Sequence, residues 1–187
     1  MCCIYRDENE RRRVVSQFIN SGLRAGELVK YNADKETAGE VVAYLTDIGV
    51  DFSSVSHDGQ LLPMCADKVY CPDGTFSPDR MLEAVQAFGE RCTKKGYSSY
   101  RGMAETGWAF KGYPGSERLI EYESRVNLVI GQLNYTAICQ YDARLCNGEM
   151  LFNVLRVHPF MIAQGLVVRN PFYVRPEEFL AKLRSGK

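Results

Sequence analysis

The sequence predicts an α/β fold in which a mostly parallel central sheet carries helices on both faces. Short apolar runs alternate with amphipathic helical repeats from one end of the chain to the other, and intervening helices allow successive strands to run parallel. The chain has 187 residues, a length typical of one domain. We therefore expect residues 1–187 to form a single domain that binds ligands outside the carboxyl ends of its strands.

The first strand is the apolar run from Cys2 to Tyr5, and a helix follows it. The apolar residues of this helix recur every three or four positions: Val14, Val15, Phe18, Ile19 and Leu23. One broad face should therefore lie against the sheet. Asp7 and Glu10 are spaced as a capping box at its start, and Gly26 stands where a helix usually ends.

The next strand is predicted from Glu27 to Tyr31. The helix after it has an apolar face made of Val41, Val42, Leu45 and Ile48. Gly49 marks the end of this helix. The run from Leu61 to Cys65 predicts a further strand, and Pro63 favours an edge position because it cannot donate a backbone hydrogen bond.

The middle of the chain begins with a turn-rich segment, residues 67–77, predicted as a loop long enough to cover a site. Ser77–Asp79 then supplies a cap, a proline and an acidic residue in the order that opens a helix, and Gly96 follows its end. We expect a strand from Tyr97 to Met103 and a loop from Ala104 to Gly115.

The last third continues the alternation. A helix has an inner face made of Leu119, Tyr122, Val126, Val129 and Leu133. A strand from Tyr135 to Tyr141, a short helix from Glu149 to Arg156, a strand from Leu166 to Val168 and a helix from Pro176 to Leu183 complete the prediction. In a parallel sheet, the loops after Tyr5, Met103 and Tyr141 would share one edge.

The charge balance excludes some functional classes. The chain has 23 Lys and Arg against 23 Asp and Glu, whereas general nucleic-acid binders carry an excess of basic residues to neutralise phosphates. We therefore expect no direct nucleic-acid partner. No apolar run approaches the roughly 18 residues of a membrane span, and the N-terminus has no signal-peptide pattern. These features predict a cytoplasmic protein without membrane contact.

Seven cysteines are the most unusual feature of the composition. None of them forms a Cys-x-x-Cys pair, which argues against a zinc ribbon and a thioredoxin-type redox motif. A disulfide framework is also unexpected in a cytoplasmic chain of this length. Most of the cysteines are therefore expected to be small buried apolar residues. Cys2 and Cys139 remain candidates for chemistry because they fall on predicted central strands.

The first strand, loop and helix resemble the opening of RecA/KaiC-type ATPases, but the phosphate-binding loop is missing. Those enzymes have a glycine-rich loop with Lys and Ser or Thr between this strand and helix. The loop here, Arg6–Glu10, has no glycine and three carboxylates, placed at the helix end that normally attracts anions. We expect no ATP hydrolysis and no nucleotide cofactor. The following basic run, Arg11–Arg13, is interpreted as a solvated helix face.

Eight short stretches in order resemble the MEDS family, the methanogen/methylotroph sensory domain of the DcmR type, a degenerate relative of the KaiC/RecA-like P-loop fold. These stretches are Cys2–Tyr5, Gly22–Glu27, Tyr70–Phe76, Met103–Trp108, Glu121–Glu123, Ile138–Asp142, His158–Pro159 and Asn170–Tyr173. The resemblance implies a non-enzymatic domain that binds a small organic ligand, a simple hydrocarbon derivative, and signals to a histidine kinase or transcription regulator. The family pattern also has a His two residues before its first Cys, which the sequence ahead of Cys2 does not supply.

Residues at the expected functional edge suggest where such a ligand would bind. Glu105 follows a strand, near where RecA-type enzymes keep a catalytic carboxylate, and Trp108 lies three residues further on. Together a carboxylate and an indole could hold a polar or cationic ligand. Tyr141 would add a hydroxyl at the same edge, and Arg101 could neutralise Glu105. The alternative is that Glu105 caps a loop and Trp108 fills the margin of the core.

Cys2, Cys139 and His158 form a second candidate set, as ligand contacts or as mixed sulfur and nitrogen ligands of a metal- or redox-responsive sensor. The alternative is a structural histidine with two core thiols, and no metal can be assigned from the spacing. Of the two glutamates Glu121 and Glu123, only one should face inward, and an ion pair with Arg118 or Arg125 is the simpler account. His57 is interpreted as a surface residue. A further alternative is a scaffold that keeps the fold in order to form a homo-oligomer.

Overall fold

The computed structural model describes residues 1–35, 37–55 and 59–185; His57 lies outside them. In the described part of the chain, strands and helices alternate. The strands are Cys2–Tyr5 (β1), Leu28–Ala33 (β2), Leu61–Cys65 (β3), Tyr100–Glu105 (β4), Tyr135–Asp142 (β5), Phe160–Ala163 (β6) and Leu166–Arg169 (β7). The α-helices are Glu8–Arg24 (α1), Ala38–Asp47 (α2), Ala66–Tyr70 (α3), Pro78–Lys94 (α4), Leu119–Ile130 (α5), Gly148–Val157 (α6) and Pro176–Ser185 (α7).

The strands form one sheet in the order β3-β2-β4-β5-β1-β6-β7. All pairings are parallel except that of β6 with β7, so the predicted α/β class with a mostly parallel sheet is confirmed. Strand β3 lies at an edge, as Pro63 indicated. The loops that follow β1, β4 and β5 lie at the same edge of the sheet, because these strands are parallel neighbours in the order β4-β5-β1.

The end of the sheet differs from the prediction. The sequence predicted one strand after α6, but the structure has a hairpin in which β6 precedes β7. Gln164 and Gly165 form its turn, with φ angles of 52° and 75°, the positive pair that a two-residue type I′ hairpin requires. The predicted loop at 67–77 is also partly wrong, because its first residues belong to helix α3.

Helices α1 and α2 cover one face of the sheet. Helix α1 begins at Glu8 and is capped by Asp7, whose carboxylate accepts hydrogen bonds from the backbone N–H groups of Asn9 and Glu10. This cap fixes the start of the helix beside the carboxyl ends of the strands. The core of this face contains Val15, Ile19, Leu23, Val29, Leu45, Met103 and Ile138. Val42 was expected on the inner face of α2 but is exposed.

Helices α4, α5 and α6 cover the opposite face. Its core contains Cys2, Tyr70, Phe76, Trp108, Tyr122, Tyr141 and Val154. The ring of Trp108 stacks on that of Tyr70 with 4.7 Å between their centres. No helix among the described residues is both long and apolar enough to cross a membrane.

Candidate functional site

The carboxylate of Glu105 lies at the carboxyl end of β4, on the face covered by α1. It is buried, with 8% of the residue exposed. It accepts hydrogen bonds from the Arg11 guanidinium at 2.8 Å, from the Asp34 backbone N–H at 2.9 Å and from the Tyr31 hydroxyl. Three donors therefore hold this carboxylate in place, and its acceptor positions are largely occupied by the protein itself.

The partner of Glu105 is Arg11 and not Arg101, so that expectation was wrong. Arg101 pairs with Glu27. Arg11 is only 6% exposed, which also corrects its assignment to a solvated face. Burial opposes the charge of Arg11, but hydrogen bonding to Glu8 and the charge of Glu105 outweigh burial and raise its pKa. Arg11 therefore keeps its positive charge in this buried position.

The start of α1 is also occupied by the protein's own groups. The Asp7 carboxylate accepts the Asn9 backbone N–H at 2.7 Å and the Glu10 backbone N–H at 3.3 Å, and Glu8 binds Arg11. These are the N–H groups and the positive helix end that would otherwise attract a phosphate. A nucleotide would meet carboxylates in this position.

A different cluster lies on the opposite face, where Glu123, Cys139 and His158 converge. The Cys139 thiol donates to Glu123 Oε2 at 3.3 Å, and His158 Nε2 lies 3.3 Å from the same oxygen. Glu123 and His158 are each 3% exposed, and Cys139 is half-buried. One ligand atom from each of the three residues lies within 4.8 Å of the other two.

The elements around this cluster fix its geometry. Cys139 points from β5, Glu123 from α5, and His158 follows the end of α6. The Nδ1–H of His158 donates to the Val154 carbonyl at 2.8 Å. Because that bond uses the Nδ1 proton, Nε2 is the ring nitrogen that faces Glu123.

The environment changes the ionisation of each acid in the cluster. Burial opposes the charge of Glu123, but His158 and the neighbouring Cys139 and Tyr141 outweigh it and hold the pKa of the carboxyl below its ordinary value. Burial and the nearby Glu123 raise the pKa of the Cys139 thiol and of the Tyr141 hydroxyl well above their ordinary values. At neutral pH Glu123 is therefore a carboxylate, whereas the Cys139 thiol and the neighbouring Tyr141 hydroxyl stay protonated.

A cleft opens beside this cluster, between the sheet and helices α4 and α5. Its internal cavity measures about 60 Å³. Most of the wall is apolar, from Met81, Val85, Phe88, Tyr122, Ala137 and Ile138. Ala137 and Cys139 lie on the central strand of the sheet yet keep part of their surface exposed, so the cavity communicates with solvent.

Four polar residues interrupt the apolar wall of the cleft: Lys30, Asn32, Glu123 and Cys139. Burial, with a smaller contribution from Arg91, lowers the pKa of Lys30 to about 8. Within the described residues, Asn32 Oδ1 is buried without a hydrogen-bond partner. The cleft thus combines an apolar body with a few polar groups, the composition typical of small-molecule sites.

Comparison with known proteins identifies the family. A family model described as the methanogen/methylotroph, DcmR sensory domain (MEDS) matches residues 1–159. The chain belongs to the MEDS family. The transcriptional repressor DcmR of Methylorubrum extorquens is 23% identical over 159 residues, which are 84% of this chain and 57% of the repressor. The chain therefore spans somewhat more than half the length of that relative. This similarity supports a sensory or regulatory role.

Two solved structures of other proteins have folds similar to that of this MEDS chain. The flagellar accessory protein FlaH of Methanocaldococcus jannaschii matches with a TM-score of 0.56 and 12% identity, over 89% of this chain and 74% of FlaH. A KaiC-like protein of Pyrococcus horikoshii matches with a TM-score of 0.58 and 16% identity, over 86% of this chain and 69% of that protein. The predicted RecA/KaiC-like fold is confirmed.

The six residues predicted as ligand contacts lie in two places in this MEDS domain. Glu105 is on the α1 face. Cys2, Trp108, Cys139, Tyr141 and His158 are on the other face, and of the six only Cys139 lines the described cleft. Glu105 and Trp108 therefore do not share a cleft. Trp108 and Tyr141 have no exposed surface.

The sequence reasoning did not single out Glu123, Lys30 or Asn32 as site residues. Glu123 did carry a usable signal, since it occupies the apolar face of α5, next to Tyr122 and three residues before Val126. A charged residue in that position needs a buried partner. The expectation that only one of the two α5 glutamates faces inward is confirmed, because Glu121 instead pairs with Arg118 and Arg125 on the surface.

Proposed function

We propose that this MEDS domain is a non-enzymatic sensor that binds a small organic molecule in the cleft beneath α4 and α5 and signals its presence to a partner regulator. The observation that carries the proposal is the cleft itself, an apolar cavity with polar groups in its wall and access to solvent. It lies in a chain whose family is that of a sensory domain.

The size of the cavity limits the ligand. A volume of about 60 Å³ is well below the roughly 150 Å³ of an apolar protein cavity that accepts benzene. A compound with one or two carbon atoms fits such a space, whereas a sugar or a nucleotide does not. This agrees with the simple hydrocarbon derivatives that the family resemblance implies.

The polar residues in the wall restrict the range of possible ligands further. The unpartnered oxygen of Asn32 can accept a hydrogen bond from a small polar group. The Cys139 sulfur, whose S–H is donated to Glu123, can act only as a weak acceptor. The surrounding Val85, Phe88 and Ala137 favour carbon and halogen atoms, because burying apolar surface is the dominant source of binding energy in such sites. Short alcohols and methylamines satisfy both requirements, whereas halomethanes match only the apolar part of the wall.

The path of the signal follows from the elements that form the cleft. Helices α4 and α5 supply one wall and pack against each other, and both also carry exposed residues, such as Ala84 on α4 and Leu128 on α5. A ligand that changes the spacing between these helices and the sheet would change the surface offered to a partner. Since the relative DcmR is a transcriptional repressor, a transcription regulator is the leading partner, and a histidine kinase is the alternative.

The test is thermal unfolding in sealed vessels with a panel of halomethanes, methanol, ethanol and methylamine. At a concentration tenfold above its dissociation constant, a ligand stabilises the folded state by about 1.4 kcal/mol, or roughly 3 to 6 °C in a chain of this size. Ala137→Val adds two methyl groups to the wall of the cleft and should remove this stabilisation.

The matched control is Thr136→Val, which changes the adjacent residue on the same strand. Thr136 is exposed and does not line the cleft, so this variant should respond to the ligand as the wild type does. Equal stabilisation of Ala137→Val and the wild type would place the ligand elsewhere. A panel that stabilises neither protein would contradict the proposal.

A further inference from the structure

We propose that Glu123, Cys139 and His158 form a binding site for one divalent transition-metal ion of the zinc type, with a fourth coordination position open towards the cleft. The site uses one oxygen, one sulfur and one nitrogen atom from three different elements of the fold. The site borders the cleft of the proposed organic ligand, but metal binding is measured without that ligand, so the two proposals can fail separately.

The spacing of the three atoms is the first argument. Zinc bonds of about 2.0 Å to nitrogen and oxygen and about 2.3 Å to sulfur, at tetrahedral angles, place the ligand atoms about 3.3 to 3.5 Å apart. Glu123 Oε2 lies 3.3 Å from His158 Nε2 and 3.3 Å from Cys139 Sγ. Two edges of the tetrahedron are therefore already present.

The histidine provides the second argument. Its Nδ1–H donates to the Val154 carbonyl at 2.8 Å, the kind of outer contact that orients metal-binding imidazoles. The buried Nε2 faces Glu123 Oε2 at 3.3 Å, and among the described residues it makes no hydrogen bond of regular geometry. Because Nδ1 carries the proton that is donated to Val154, the lone pair of the neutral ring lies on Nε2, which is therefore the nitrogen suited to bind a metal ion.

Charge provides the third argument. Binding of a divalent cation would release the proton of the Cys139 thiol, and the resulting thiolate together with the Glu123 carboxylate would neutralise the ion, with His158 neutral. A complex with no net charge is favourable in a buried setting, where an isolated charge is costly. The mixed ligand set fits zinc and related ions better than calcium or magnesium, which prefer oxygen.

Glu123, Cys139 and His158 would fill three of the four positions of a tetrahedral metal site and leave the fourth open. Three protein ligands with one open position are typical of zinc sites that bind water or a small molecule. Two of the three residues, Glu123 and Cys139, also line the cleft, so the open position faces the space from which a small molecule would enter. Cys2, which the sequence suggested as a ligand, is not part of the three-atom group.

The experiment is a titration of chelator-treated, untagged protein with Co²⁺ and then with Zn²⁺, without any organic compound. We expect one ion per chain and a thiolate-to-cobalt charge-transfer band in the near ultraviolet, which Zn²⁺ abolishes by displacing Co²⁺. In Cys139→Ser the band should disappear and the affinity should fall at least about 100-fold, beyond the effect of losing an outer contact. His158→Gln should weaken binding to a similar degree.

Cys92→Ser is the control, because Cys92 is a buried cysteine that packs in a separate apolar cluster, away from the three ligands. It should keep the band and the affinity of the wild type. The wild-type spectrum decides the matter even if a ligand variant does not fold: absence of stoichiometric binding, or binding without the thiolate band, overturns the proposal. An equal loss of metal affinity in Cys92→Ser and Cys139→Ser would also overturn the proposal.

Thermal unfolding with the organic compounds is a separate measurement, so failure of the metal site leaves the proposed function testable.

Discussion

Glu105 and Arg11 form a buried ion pair in which each residue depends on the other. Three donors bind the carboxylate, and the guanidinium carbon also lies 5.0 Å from the centre of the Tyr5 ring. Arg11→Met leaves the buried Glu105 carboxylate without its charged partner, which typically costs about 3 to 5 kcal/mol. Glu105→Gln should cost less, because Arg11 keeps its hydrogen bonds to Glu8. Both losses in the free energy of unfolding are measured by urea denaturation.

The double variant distinguishes this ion pair from two independent contacts. Because Arg11→Met with Glu105→Gln leaves neither charge buried, its loss of stability should be clearly smaller than the sum of the two single losses. Arg118→Met is the control for an exposed pair, since Arg118 contacts Glu121 at the surface, and should cost less than about 1 kcal/mol. Additive losses in the double variant would contradict a coupled pair.

Individual site residues could be predicted from the sequence more reliably than the residues that they contact. The sequence placed Glu105 at a strand end and Cys139 and His158 in one candidate set. It did not pair Glu105 with Arg11, because the basic run Arg11–Arg13 looks uniform in sequence and only the orientation of α1 on the sheet buries its first member. Likewise, only tertiary contact brings Glu123 to His158.

Gly115 illustrates a constraint at the scale of elements. It precedes α5 with φ of +87°, and a Cβ there would lie 2.2 Å from the backbone oxygen of Phe76. The Phe76 N–H donates to the Pro114 carbonyl at 2.9 Å, so this turn ties the segment before α4 to the segment before α5. Phe76 in turn packs on Trp108, with 4.7 Å between the ring centres.

Gly115→Ala should therefore destabilise the protein strongly, through left-handed backbone strain and a backbone clash together. Gly112→Ala is a matched control, since Gly112 also has a positive φ, +79°, but a Cβ at that position would have no neighbouring atom within 4 Å. It should cost only the left-handed penalty of about 1 to 2 kcal/mol. We expect Gly115→Ala to exceed that loss by at least about 2 kcal/mol in urea unfolding, and equal losses would show that the turn can shift without cost.

The prediction of elements succeeded where local signals were strong. Ser77 and Pro78 open α4, and Asp7 caps α1, as their side chains indicated. The hairpin of β6 and β7 was partly missed because its turn residues, Gln164 and Gly165, are a weaker signal than Asn-Gly or Asp-Gly, and β6 follows directly on His158-Pro159. Short strands beside a proline give too few alternating positions to be recognised.

At the scale of the whole molecule, the alternation of strands and helices was sufficient to predict the fold class and the shared edge of the sheet. It could not predict which residues meet across elements, because the cleft combines side chains of β2, β4, β5, α4 and α5 whose contacts depend on tertiary packing. The expected ligand edge and the observed cleft differ for this reason. Side-chain packing decides the location of the cavity.

Nucleotide binding depends on the whole arrangement around α1. The RecA/KaiC-like fold places the start of this helix where a phosphate would bind, but here Asp7 caps it and Glu8 and Arg11 pair beside it. The loop from Arg6 to Glu10 also lacks the glycine and lysine that cradle phosphates. Millimolar ATP with Mg²⁺ should therefore neither raise the melting temperature nor displace a fluorescent nucleotide analogue.

Glu10→Gln removes one negative charge at this end of the helix. It should still bind no nucleotide, because the backbone N–H groups that could bind a phosphate remain hydrogen-bonded to Asp7. Saturable stabilisation of the wild type by ATP with Mg²⁺ would show that this helix end can open, and it would favour a retained nucleotide-dependent role over a sensor of small organic molecules.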